Sequence, residues 1–160
     1  MSDAVSTVSV TRAVNAPAEH AWALVSDVTR MGEWSPETTD AEWIGGATGP
    51  AAGAKFRGTN QNGKKSWKSV ATVTDAAPGR AFTFRVKAMG LNVADWGYTF
   101  EPTPTGCNVT EHWTDRRGAL MKMMSPKATG VADRAEHNRT GMEQTLDRLA
   151  AAAESTAPAT

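Results

Sequence analysis

A chain of 160 residues, 40% of them hydrophobic, is long enough to bury one continuous core and too short to need a second domain. Its 17 basic and 17 acidic residues cancel, which excludes the strong overall field that draws a protein onto nucleic acid or an anionic surface. No apolar run approaches the roughly 20 residues that span a bilayer, and the first fourteen residues lack the basic start and hydrophobic block of a secretion signal. The expectation is therefore a cytoplasmic protein without stable membrane insertion and without a nucleic-acid partner. The lone Cys107 has no internal disulfide partner and reads as a free thiol.

In chain order, Val5 to Val14 alternates as a strand does. Asn15-Ala16-Pro17 then signals a helix start, and Ala21, Trp22, Leu24 and Val25 supply that helix with an apolar face ending near Asp27. A second short helix is expected from Val28 to Trp34, stopped by Ser35-Pro36 because the residue before a proline avoids helical dihedrals. From Thr39 onward the punctuation is that of hairpins. Gly45 to Gly53 is a loop, Asn62-Gly63 is a two-residue turn, and Pro78-Gly79, Met89-Gly90 and Pro104-Thr105-Gly106 are further turns. They separate six strands, at about 39–45, 54–61, 65–76, 80–89, 92–102 and 107–115. Short turns make neighbours antiparallel, so with the first strand a seven-stranded antiparallel sheet is expected.

Alternation assigns the inner face. Phe56, Gly58 and Asn60 point inward on one strand, and Trp67, Ser69, Ala71 and Val73 on the next. Phe82, Phe84, Val86 and Ala88 follow, then Trp96, Tyr98 and Phe100, then Val109, Glu111 and Trp113. Asn60, Ser69 and Glu111 are polar where a solid core takes apolar residues. Arg116 to Ala128 carries Leu120, Met121, Met123 and Met124 without a strand period, which leaves two readings: a short helix packed on the core, or a flexible lid over a pocket. The closing stretch, Thr129 to Glu154, repeats Val131, Ala135, Met142, Leu146, Leu149 and Ala153 on one stripe of an amphipathic helix. Asn138 and Arg139 interrupt that stripe, so the helix there either faces solvent or looks into a space that is not solid core. One domain is expected over 1–155, with 156–160 as a disordered tail.

Several short stretches in this order resemble the polyketide cyclase/dehydrase-like members of the START-related (SRPBCC) superfamily. They are Asn15-Ala16-Pro17-Ala18 before Trp22, Met31-Gly32-Glu33-Trp34-Ser35-Pro36, Gly53-Ala54-Lys55-Phe56-Arg57-Gly58, Trp96-Gly97-Tyr98-Thr99-Phe100-Glu101-Pro102, Val109-Thr110-Glu111 and Thr145-Leu146-Asp147-Arg148-Leu149. The resemblance spans Val8 to Glu154. It implies an α+β helix-grip fold, a seven-stranded curved antiparallel sheet wrapped around a long C-terminal helix, with two short helices after the first strand. It also implies an internal cavity for a hydrophobic small molecule such as a lipid, isoprenoid or polyketide. Chemistry does not follow from it, because fold does not fix function.

The residues expected at the ligand are Trp34, Phe56, Asn60, Trp67, Ser69, Phe84, Trp96, Tyr98, Trp113, Met124, Asn138 and Met142. Trp34 is either a rim of the pocket mouth or a core residue. Glu111 also carries two readings. Burial beside Phe84, Trp96 and Trp113 raises a carboxyl's pKa and makes it a proton donor or acceptor for a cyclase or dehydratase; alternatively it is a structural carboxylate bonded to Arg57, Asn60 or Asn138. His20, His112 and His137 show no metal-ligand spacing, the Gly45 to Gly53 loop leads into a strand rather than the helix a phosphate cradle needs, and no G-x-S-x-G element exists. Neither metal nor cofactor is expected. Three functions compete: binding and possible transport of a hydrophobic ligand, acid-base catalysis through Glu111, and protein interaction through the Met-rich segment. Monomer and homodimer both remain open.

Overall fold

The computed structural model describes residues 5–157. Its core element is one antiparallel sheet: β1 (Thr7–Val14), β2 (Thr38–Ile44), β3 (Lys55–Asn62), β4 (Lys65–Ala77), β5 (Ala81–Ala88), β6 (Leu91–Thr103) and β7 (Gly106–Asp115). The strand order is β1-β7-β6-β5-β4-β3-β2, so every neighbour except β1 with β7 is joined by a hairpin. Asn62-Gly63 makes the β3–β4 turn as expected, with Gly63 at φ 58, where a Cβ is disfavoured. Register shifts between Thr38 and Asp40 in β2, Val73 and Asp75 in β4, and Val86 and Lys87 along β5 bend the sheet into a grip.

Two short helices fill the crossover from β1 to β2. α1 (Ala18–Ser26) starts directly after Pro17. The expected second helix is a 3₁₀ turn, Val28–Arg30, running into a single turn of α-helix, α2 (Met31–Trp34). Ser35, held extended ahead of Pro36, ends it.

The long C-terminal helix differs from the sequence expectation at its start. Residues 119–129 form a separate helix, α3 (Ala119–Thr129), and α4 begins only at Arg134 and runs to Thr156. Gly130 breaks the two apart, adopting φ 73 and donating its N–H to the Pro126 carbonyl, a left-handed cap that glycine takes without strain. Asp133 then caps α4, its side chain accepting the Glu136 N–H at 3.1 Å. Val131 is buried in the link rather than on a helical stripe. Of the tail expected at 156–160, Thr156 still belongs to α4, and residues 158–160 lie outside the described residues.

The solid core sits under the second half of α4. Leu146, Leu149, Ala150 and Ala153 are buried against Val14, Leu24, Val25, Phe82, Phe100 and Val109. Arg12 of β1 pairs with Asp147 and ties the helix to the sheet edge. Cys107 is buried in the same core, and burial pushes its thiol up, away from the thiolate form that acts as a nucleophile.

Candidate functional site

Under the first half of α4 the packing opens into a cavity of about 370 Å³, within the range of small-molecule sites. The inner sheet face forms its floor, α4 its roof, α3 one end, and the Ser35 to Thr38 loop one side. Phe56, Asn60, Trp67, Ser69, Phe84, Trp96, Tyr98, Trp113, Met124, Asn138 and Met142 all line it, together with Glu111. The gap in the helical stripe is therefore explained by the cavity: Asn138 is buried and looks into it, whereas Arg139 points to solvent.

Trp34 is the expected ligand residue that the structure places elsewhere. It does not line the cavity; it is 2% exposed and belongs to the solid core, with Arg30 over its ring and the Arg148 guanidinium reaching its carbonyl. The physical reason is the single turn of α2, which points the indole inward while the following Ser35 to Thr38 loop borders the cavity instead.

Glu111 lies deep in the floor at 2% exposure. Its partner is not Arg57, Asn60 or Asn138. It is Tyr98, its direct neighbour across the β6–β7 ladder, whose hydroxyl donates to Oε1 at 2.8 Å. Arg57 instead reaches Glu42, and Asn60 is occupied by Thr38 and Ser69. The other carboxyl oxygen of Glu111, Oε2, is buried with no hydrogen-bond partner among the described residues. Removal from water is the dominant influence on this carboxyl; the Tyr98 hydroxyl only partly offsets it, and the pKa rises to about 8. At neutral pH the group is therefore mainly a carboxylic acid, able to donate one hydrogen bond from an oxygen that the protein leaves free. Burial, and then the nearby Glu111 charge, hold the Tyr98 phenol well above its ordinary value, so it stays a donor.

A second polar group lies on the floor. Thr38 donates to Asn60 Oδ1 at 2.9 Å, and Asn60 Nδ2 donates to Ser69 at 3.1 Å. This network satisfies its own members and positions a polar strip without a net charge. At the side of the cavity Glu37 accepts from Arg134 at 2.9 Å and bonds His137 at 2.9 Å, while the Arg134 guanidinium lies 5.9 Å from the centre of the Trp67 ring. That clasp ties the loop after α2 to the start of α4. Elsewhere the walls are aromatic and aliphatic, with Phe56 and Phe84 packed edge to face at 5.1 Å.

Sequence reasoning missed Glu37, Arg134, His137, Met121 and Ser125, all of which line the cavity. A signal for two, Arg134 and His137, existed: with Asn138, Gly141, Met142 and Thr145 they follow helical spacing, and counting only apolar positions hides the polar half of that face. Met121 and Ser125 could be placed only once α3 was known to cap one end. Between the two readings of the Met-rich segment, the structure places an α-helix there, with Met121 buried and Met124 on the cavity.

The sequence model of the family described as "Polyketide cyclase / dehydrase and lipid transport" matches residues 6–154. The chain belongs to this family. No curated protein matches it by sequence. Among solved structures, the cyclase/dehydrase-family fold seen here is similar to the Polyketide_cyc-like protein Cgl2372 from Corynebacterium glutamicum, at 28% identity and TM-score 0.59, over 94% of this chain and 90% of that one. It is also similar to protein CV1439 from Chromobacterium violaceum, at 16% identity and TM-score 0.68, covering 92% of this chain and 97% of the other. The di-domain aromatase/cyclase StfQ of the steffimycin biosynthetic pathway shares 14% identity at TM-score 0.73; 94% of this chain aligns with 51% of that one. At such identities the last two likenesses establish the helix-grip α+β fold alone.

Proposed function

We propose that this member of the cyclase/dehydrase and lipid transport family binds, and carries, a hydrophobic small molecule that presents a hydrogen-bond acceptor. The observation that carries the reading is the cavity itself, apolar on most walls, with the unpartnered Glu111 Oε2 on its floor. An apolar body is held by the rings of Trp67, Phe84, Trp96 and Trp113. A ketone, ester or phenolic oxygen on that body takes the hydrogen bond Glu111 offers, which relieves the one unmet polar atom there. Native mass spectrometry of protein purified from its own host is the test. A co-bound neutral, oxygen-bearing apolar mass is expected, and its loss from a Ser69→Trp variant that fills the floor; protein that is ligand-free and takes up no such compound from a mixed panel refutes the reading.

A second reading is favoured by one specific feature, the poise of the Glu111 carboxyl near pH 8. In acid form it can lend its proton to a ligand oxygen, and as carboxylate, held by the Tyr98 hydroxyl, it can take a proton back from a neighbouring carbon; the two transfers leave the protein unchanged. Glu111→Gln separates the readings, since it keeps the side chain's shape and removes the exchangeable proton. Under the catalytic reading affinity persists while turnover falls by about 10² to 10⁴. Under the binding reading the same change alters affinity by about 1 to 2 kcal/mol through one changed hydrogen bond and no product forms with either protein.

A further inference from the structure

The overall charge of the chain is zero, yet its lysines are not spread evenly. Six of the seven, Lys64, Lys65, Lys68, Lys87, Lys122 and Lys127, fall in three segments, 62–70, 86–93 and 116–132. Those segments contain no Asp or Glu. All six side chains are exposed, and none joins a salt bridge among the described residues. The same segments hold four of the five exposed large hydrophobic residues among the described residues: Met89 at 78%, Leu91 at 39%, Leu120 at 54% and Met123 at 69%.

Topology gathers these segments at one end of the molecule. The β3–β4 turn, the β5–β6 turn and the end of β7 all lie at the same edge of an antiparallel meander. α3 crosses that edge: the Arg116 N–H just before it bonds the Val93 carbonyl of β6 at 2.9 Å, and its last carbonyl, on Thr129, accepts from Asn62 beside the β3–β4 turn at 2.9 Å. Helical spacing divides its side chains, so that Met121 and Met124 border the cavity while Leu120 and Met123 face outward. Met89 and Lys68 border the same cavity from the sheet. The cavity end is thus ringed by protruding apolar side chains among lysines outside any salt bridge, of which Lys122 lies near enough to Asp115 to act on its charge.

We infer that this end docks on an anionic lipid surface, with Met89, Leu91, Leu120 and Met123 entering the headgroup region and the lysines meeting lipid phosphates. Both halves of the pattern are required for that partner, since apolar anchors supply insertion and basic residues supply attraction. An acidic protein satisfies the lysines but leaves four separate apolar protrusions without a stated pocket. No helix among the described residues is long and apolar enough to cross a membrane, so the contact is peripheral. Use of this surface to load or release a ligand rests on the binding reading above; the docking itself does not.

The test is co-sedimentation of the full chain with phosphatidylcholine vesicles, with and without phosphatidylglycerol, read alongside native mass spectrometry for ligand. Binding is expected only with the anionic lipid and should weaken as salt rises. Lys122→Gln with Lys127→Gln should weaken it about 25-fold, roughly five-fold for each charge removed. Met89→Ser with Met123→Ser should reduce binding further at high salt, where attraction is screened, with an unchanged circular dichroism spectrum. Arg80→Gln with Arg139→Gln removes the same charge elsewhere and should leave binding unaltered. Absence of phosphatidylglycerol-dependent binding, or equal losses in the two charge variants, overturns the inference. So does an acidic protein that binds wild type and not the lysine variant while vesicles bind neither. Ligand detected by mass spectrometry without vesicle binding removes the docking inference and leaves the cavity reading intact.

Discussion

Replacing Glu111 with glutamine should remove a pH dependence from the stability of the whole protein. In the unfolded chain this carboxyl titrates near 4.5, and in the fold burial lifts it to about 8. Between those values the folded protein holds a proton that the unfolded chain has lost, so this group's contribution to stability is greatest below about pH 4.5, falls as pH rises toward 8, and is level above. The slope approaches about 1.4 kcal/mol per pH unit, and the whole fall is on the order of 5 kcal/mol. His112 works against it: burial lowers its pKa, so its contribution grows as pH rises toward its unfolded value near 6.5. Asp95, held low by Arg85, and Asp115, where the Arg117 bonds outweigh burial, act only near and below their usual value of 3.8. Subtracting the Glu111→Gln curve from the wild-type curve cancels all three. Urea unfolding followed by tryptophan fluorescence at each pH from 4 to 9 supplies both curves. Parallel curves refute the reasoning, because they mean the carboxyl is as well solvated in the fold as out of it.

Tyr98→Phe deletes the hydroxyl that stabilises the Glu111 carboxylate, so the same subtraction, made between Tyr98→Phe and the double variant with Glu111→Gln, should show the fall continuing to higher pH than in wild type. Leu149→Ala, in the part of the core with no space to collapse into, should cost about 2 to 5 kcal/mol by chemical denaturation; less than about 1 kcal/mol would put that face of α4 in error. Glu37→Ala leaves the mostly buried Arg134 guanidinium without its carboxylate, and should cost on the order of 1 to 2 kcal/mol while raising the exchange rate of a bound fluorescent apolar probe in stopped-flow displacement. Unchanged exchange would mean the clasp plays no part in closing the cavity.

Where one face of an element is buried, its period shows in the sequence, and for that reason the inward sets on β3 to β7 were readable without coordinates. Asn60, Ser69 and Glu111 stood out because alternation put polar atoms where packing excludes water, and the cavity accounts for all three. Pairing was harder. The Tyr98–Glu111 bond depends on strand register, which the length of the Pro104 to Gly106 turn sets to within a residue, and a slip of one moves every side chain to the other face. The α3–α4 break shows a different limit. Gly130 is an ordinary helix-stop signal followed closely by the Asp133 cap, but the apolar repeat starts at Val131, beside the stop, and runs over the cap to Ala153, so periodicity alone carries a helix through from Thr129. Trp34 was unreadable in principle, because a four-residue helix has no period to say which way its side chains point.

α4 has to serve two incompatible purposes, and its sequence divides them by position. From Thr145 onward its inner face is Leu146, Leu149, Ala150 and Ala153, small or branched residues that close on α1 and the sheet without a gap. Before Thr145 the inner positions are Arg134, Asn138, Gly141 and Met142, one of them without a side chain and two of them polar. An apolar set there would pull the sheet and helix together and remove the space, since an empty apolar cavity costs stability in proportion to its volume. Glycine at 141 cannot fill it, Asn138 is partly satisfied by Arg134 on its own helix, and Glu37 fixes the Arg134 head from the opposite wall. The opening is thus held from its edges by polar contacts while the far half of the same helix supplies the stability. On this division Gly141→Leu, whose Cβ already meets Pro36 on the cavity wall, should abolish ligand uptake, whereas Ala150→Leu, in the closed half, should leave the cavity open and destabilise by about 1 to 3 kcal/mol through overpacking.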